Sequence, residues 1–165
     1  MKLLFLLLFA SVCFAQPTVT LVNGTLPDVE AKIPEIESKK FIDLTKAWVT
    51  EAKRSGEVLD VSNVSSGSLT ISGYKHNAFN YRERGETHWH DAKVVMQVRY
   101  SSTSMSIKIT LPELFTNGGK PIRYTLPDYF ADGKLKDGYD GLQKSLEENL
   151  NRIVRSYYNF IVNYQ

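Results

Sequence analysis

Two runs of strict alternation, separated by three polar residues, constrain this chain more than any other feature. Val94, Met96, Val98 and Tyr100 alternate with Lys93, Val95, Gln97 and Arg99, and Met105, Ile107, Ile109 and Leu111 then alternate with Ser104, Ser106, Lys108 and Thr110. Successive side chains of a strand point to opposite faces, so each run carries one apolar row and one largely polar row. Ser101, Ser102 and Thr103 supply a short polar turn between them. The pattern is that of a half-buried antiparallel pair, with the core against its apolar face.

The two ends read differently from this centre. Met1 to Ala15 has the make-up of a signal peptide: Lys2 as a positive n-region, Leu3 to Ala10 as an apolar run, and small residues at Cys13 and Ala15, which puts Gln16 first in the mature chain. The apolar run is shorter than the roughly 20 residues that span a bilayer, so no transmembrane segment is expected in the mature chain. Acylation of Cys13 as a lipoprotein is the alternative, but Val12 stands where that processing motif has a small residue. Cleavage after Ala15 leaves no cysteine, so the exported chain must be held by its core alone, which a domain of about 150 residues can build. Residues 16–28, with Pro17, Gly24 and Pro27, read as a tether or an edge strand, and residues 29–165 as a single α+β domain.

Val29, Ala31 and Ile33 form a short alternating strand ended by Pro34. Ser38 stands as a helix N-cap before Phe41, Leu44, Ala47, Trp48 and Ala52 at helical spacing, and Gly56 as the stop. Trp48 lies on that stripe, where core packing explains it more simply than ligand stacking. Leu59 and Val61, the Ser65-Ser66-Gly67 turn, and Leu69, Ile71 and Gly73 give a second hairpin. Lys75 to Ala92 reads as two extended arms turning at Arg84-Gly85-Glu86, and Pro112 to Asp137 as a long loop with only Ile122 to Leu126 as a strand. A helix from about Tyr139 to Tyr164 closes the chain, its stripe made by Leu142, Leu146, Leu150, Ile153, Val154, Tyr157 and Ile161. Phe160 falls off that stripe and is expected to dock on the long loop. The sum is a two-layer α+β fold, an antiparallel sheet with two helices packed on one face.

Val29-Glu30-Ala31-Lys32-Ile33 leading into Phe41-Ile42-Asp43-Leu44-Thr45-Lys46-Ala47-Trp48, the Val58 to Gly73 hairpin and the Leu142 to Ile161 stripe together resemble a secreted bacterial family, domain of unknown function 4468. The resemblance covers nearly all of the mature chain. It implies a fold similar to the TATA-box-binding protein, a Gram-negative host and an envelope location, in periplasm or at the cell surface. It brings no activity and no functional residues. Nucleic-acid binding is not expected, since a shared fold does not carry function and the mature chain is nearly neutral, without a basic stripe.

All three histidines fall in one stretch. His88 and His90 are two apart and share a strand face; with His76 opposite, three imidazoles would approach a tetrahedral metal site, against the plainer reading of a solvated hairpin tip. Phe79, Tyr81 and Trp89 in the same arms are candidates to stack on a flat ligand, or to pack over the sheet edge. The sequence holds no G-x-S-x-G, no H-E-x-x-H and no P-loop, and no cofactor is expected. Glu147-Glu148 reads as a charged solvent face. The main expectation is an exported, non-enzymatic binding or scaffold domain of the envelope whose partner is an unknown envelope protein or a small ligand. A carrier with a cleft between sheet and helices is the alternative, and a hydrolase with a spatially assembled site the third. An apolar cleft with a few convergent polar groups favours the carrier; a filled seam favours the scaffold.

Overall fold

The alternating hairpin forms the middle of the sheet. In order, the chain builds β1 (Val29–Lys32), α1 (Ser38–Arg54), β2 (Val58–Ser62), β3 (Ser68–Glu83), β4 (Glu86–Tyr100), β5 (Ser104–Thr116), β6 (Pro121–Ile122), β7 (Phe130–Ala131), β8 (Lys134–Leu135) and α2 (Leu142–Asn163). These elements come from a computed structural model that describes residues 16–163; the expected signal segment 1–15, Cys13 with it, lies outside the described residues. The main sheet runs β1-β5-β4-β3-β2, with β6 also on β5, and every pairing is antiparallel.

Register turns the alternation into a continuous apolar face. Val61, Ile71, Met96 and Ile109 stand in one cross-strand row, and Leu69, Val98, Ile107 and Val29 in the next. Met96 and Ile107 are buried, as are Leu44 of α1 and Leu146 of α2, while Lys93, Gln97 and Arg99 on the other face stay exposed. Both amphipathic helices cover the apolar face and cross antiparallel to each other, Thr45 opposite Tyr157 and Trp48 opposite Ser156.

The sheet bends twice. Between Lys93 and Val95 of β4, β5 carries one residue more, at Leu111-Pro112. A one-residue bulge reverses the facing of everything beyond it, so Leu111 and Leu114 are both buried although three residues apart. This is why the alternation breaks at Pro112, and why the strand expected to end at Leu111 runs on to Thr116. Ile122 to Leu126 is not a strand as expected: β6 stops at Ile122, and Leu126–Tyr129 is a 3-10 turn. The second bend lies between Lys75 and Phe79 of β3, where the register slips against Ala92 and His90.

Two local expectations are corrected. Ser38 is the first residue of α1 and not its cap; its hydroxyl lies 2.9 Å from the Ser66 carbonyl and 3.0 Å from the Tyr100 hydroxyl. Residues 16–28 are neither tether nor sheet edge, because Val19 and Leu21 are buried and their backbone is held by side chains of α2. Gly56 does end α1 with a left-handed backbone, φ +89°.

Candidate functional site

Beyond the Trp48–Ser156 contact the two helices leave a cleft of about 260 Å³ over the sheet. Its floor is Ile71 and Gly73 of β3 with Val94 and Met96 of β4, and its walls are Trp48 and Ala52 of α1, Leu59 of β2, and Ile153 and Phe160 of α2. Glycine is required at 73, since a β-carbon there would strike the Val58 carbonyl and the Leu59 side chain. The Trp48 indole N–H donates to the Ser156 hydroxyl at 3.2 Å and closes one end.

The rim is polar. Glu51, Ser55 and Glu57 stand on one side, Arg152 and Ser156 on the other, with Lys75 rising from the sheet. Lys75 and Glu57 form an ion pair of 2.7 Å, and the Lys75 side chain is only 18 % exposed. An apolar pocket bordered by a few polar groups is the usual form of a small-molecule site.

The stacking residues expected from the sequence do not converge. Phe79 and Tyr81 face the helix side, and Phe79 is fully buried. Trp89 pairs with Asn80 and so faces the opposite way, 43 % exposed. Phe79, His90, Tyr81 and His88 instead stack on one another in a cross-strand ladder, with successive ring centroids 5.0, 5.2 and 5.3 Å apart. Tyr129 and Tyr139 of the long connection pack edge-on against this ladder. Its aromatic surface is thus spent on holding that connection, and burial raises the Tyr81 and Tyr129 phenols above their usual range.

The three histidines are likewise divided, by the facing of the strands. His88 and His90 stand in the ladder, while His76 lies on the far face, its Nδ1 3.3 Å from a carboxylate oxygen of Asp91. Among the described residues no group of three His, Cys, Asp or Glu side chains is placed to hold a metal ion. His90 is buried, its Nδ1 is 3.3 Å from the Phe115 carbonyl and its Nε2 has no partner; burial holds its pKa below the usual 6.5.

Neither a family model nor a curated protein matches the sequence. Among solved structures, the chain is similar to a DUF4468 family protein from Bacteroides ovatus ATCC 8483, over 84 % of this chain and 81 % of that one, at 13 % identity and a TM-score of 0.48. That is the family the sequence resembles.

Trp48, which the helix stripe assigns to core packing over ligand stacking, is buried and also forms a cleft wall, and three other lining residues leave a trace in the sequence. Phe160 falls off the α2 stripe, and it lines the cleft with Trp48 where docking on the long loop was expected. Gly73 interrupts a strand, a position that marks close backbone approach or a bound group. Ile153, placed in the core stripe, is only half-buried because it forms a cleft wall.

Proposed function

We propose that this domain is an exported, non-enzymatic binding module that holds a small apolar molecule between its sheet and its two helices. The observation that carries the reading is the cleft: about 260 Å³ of space walled by Trp48, Ile153 and Phe160 over a floor that includes Met96. The opening is apolar within and polar at its mouth, the arrangement that small-molecule sites take. Export rests on the n-region and apolar run of residues 1–15. Among the described residues no helix is long and apolar enough to cross a membrane.

Trp48 in the wall gives a direct readout. In a Trp89→Phe background, titration with cyclohexanol is expected to shift the Trp48 emission saturably, and Ala52→Leu, which fills the cleft from α1, to abolish the response without unfolding the protein. An emission unmoved by cyclohexanol, or moved equally in Ala52→Leu, overturns the reading.

A further inference from the structure

We infer that the cleft selects a ligand of no net charge, an aliphatic chain ending in an uncharged polar group. The inference rests on the binding role proposed above and adds the chemistry of what is bound. The apolar part comes from the walls, where Trp48, Leu59, Ile153 and Phe160 enclose the space above the sheet.

Charge comes from the rim. Two carboxylates, Glu51 and Glu57, face two cations, Lys75 and Arg152. Glu57 and Lys75 already satisfy one another at 2.7 Å. Glu51 and Arg152 remain, one from each helix and of opposite sign. A carboxylate headgroup beside Arg152 has Glu51 and Glu57 across the mouth from it, and an ammonium beside Glu51 has Arg152 across from it and Lys75 on the sheet between. Either one gives up hydration at a rim whose four charges sum to zero, whereas a hydroxyl gives up little and can bond to any of the four. The interior supplies no compensation, because Ile153, Phe160 and Met96 carry no hydrogen-bonding side chain and the Trp48 indole N–H is already given to Ser156.

The test is a series with one chain and three heads: 1-octanol, octanoate and octylammonium, each titrated into the protein at pH 7 and followed by Trp48 emission in the Trp89→Phe background. Octanol is expected to bind at least about tenfold more tightly than either ion, the size of effect that one poorly compensated charge gives. Arg152→Gln should then improve octylammonium and weaken octanoate, and Glu51→Gln should do the reverse. Octanoate binding as tightly as octanol, with that affinity lost in Arg152→Gln, would make the rim an anion site and overturn the inference while leaving the binding role intact. If none of the three binds, the binding role fails and the inference with it.

Discussion

Asn151 of α2 holds Val19 by both of its backbone groups: its carboxamide oxygen accepts the Val19 N–H at 2.8 Å, and its amide nitrogen donates to the Val19 carbonyl at 2.9 Å. One and two turns back along the helix, Glu147 accepts the Leu21 N–H at 2.8 Å and Gln143 donates to the Leu21 carbonyl at 3.2 Å. Positions four apart fall on one helix face, so a polar ladder reads an extended strap as a neighbouring strand would. Asn151→Ala is expected to cost about 1–3 kcal/mol, since it leaves two half-buried backbone groups unpaired. Hydrogen exchange checks it: the amides of Val19 and Leu21 should lose protection while those of Val94 to Val98 keep theirs.

Asp91 makes the second bend of the sheet possible. Its buried carboxylate accepts the Asn77 N–H and the Tyr74 hydroxyl, both at 2.8 Å, where Asn77 takes a left-handed backbone with φ +51°. Asp91→Ala should destabilise the protein by about 1.5–3 kcal/mol, the worth of a hydrogen bond to a charged group. It should also bring the Tyr74 phenol down toward 10.0, from which burial and then the Asp91 bond and charge now raise it. Ultraviolet titration reads the phenol directly. A fall in stability with no movement of the Tyr74 transition would mean that Asp91 acts by packing alone.

His90 predicts a dependence on acid. Burial lowers its folded pKa below 6.5; the Phe115 carbonyl opposes it as the next largest effect, and His88 lowers it and Asp91 raises it by less. Above pH 6.5 the imidazole is neutral in both states and its contribution to stability is complete. As the pH falls from there toward the lowered folded value, the unfolded chain takes up a proton that the folded one refuses, and stability is lost. Thermal unfolding between about pH 7 and about pH 5 should show a slope that flattens in His90→Phe, a variant that keeps the ring between Phe79 and Tyr81 and removes the unpartnered Nε2.

How far the sequence reaches depends on whether a residue's surroundings are local. The rows through Met96 and Ile107 and the stripe from Leu142 to Ile161 follow from strand and helix periods, which neighbouring residues set by themselves, and they stand as expected. The turn at Arg84-Gly85 follows equally, both residues having positive φ. What escapes is set by contacts across the chain. The extra residue at Leu111-Pro112 is a bulge only because β4 continues opposite it, and in sequence it looks like the end of a strand. Glu147 reads as solvent-facing on the helix wheel, yet it meets the backbone of Leu21, more than a hundred residues away. The cleft is harder still, because its lining is drawn from α1, β2, β3, β4 and α2 together, and periodicity records only what lies along one element.

The helices are joined at their crossing by a buried polar contact whose coupling can be measured. The hydroxyls of Thr45 and Tyr157 lie 2.8 Å apart, both residues fully buried, and the Thr45 hydroxyl bonds back to the Phe41 carbonyl at 3.0 Å. That second bond orients the threonine proton, so the Tyr157 hydroxyl can donate only toward Thr45. Thr45→Val keeps the shape and strands the phenol, at a cost of about 1–3 kcal/mol. Tyr157→Phe removes the phenol and leaves Thr45 its bond to Phe41, so it should cost less, about 0.5–1.5 kcal/mol. With both changes nothing is left unpaired, and the double variant should be more stable than the sum of the singles implies, by about 0.5–3 kcal/mol of coupling. Denaturant unfolding of the four proteins gives that coupling directly. Simple additivity would show that the two hydroxyls do not bond in solution, and that the helix crossing beside the cleft is held by the Trp48 and Tyr157 rings, 5.0 Å apart, without help from the polar pair.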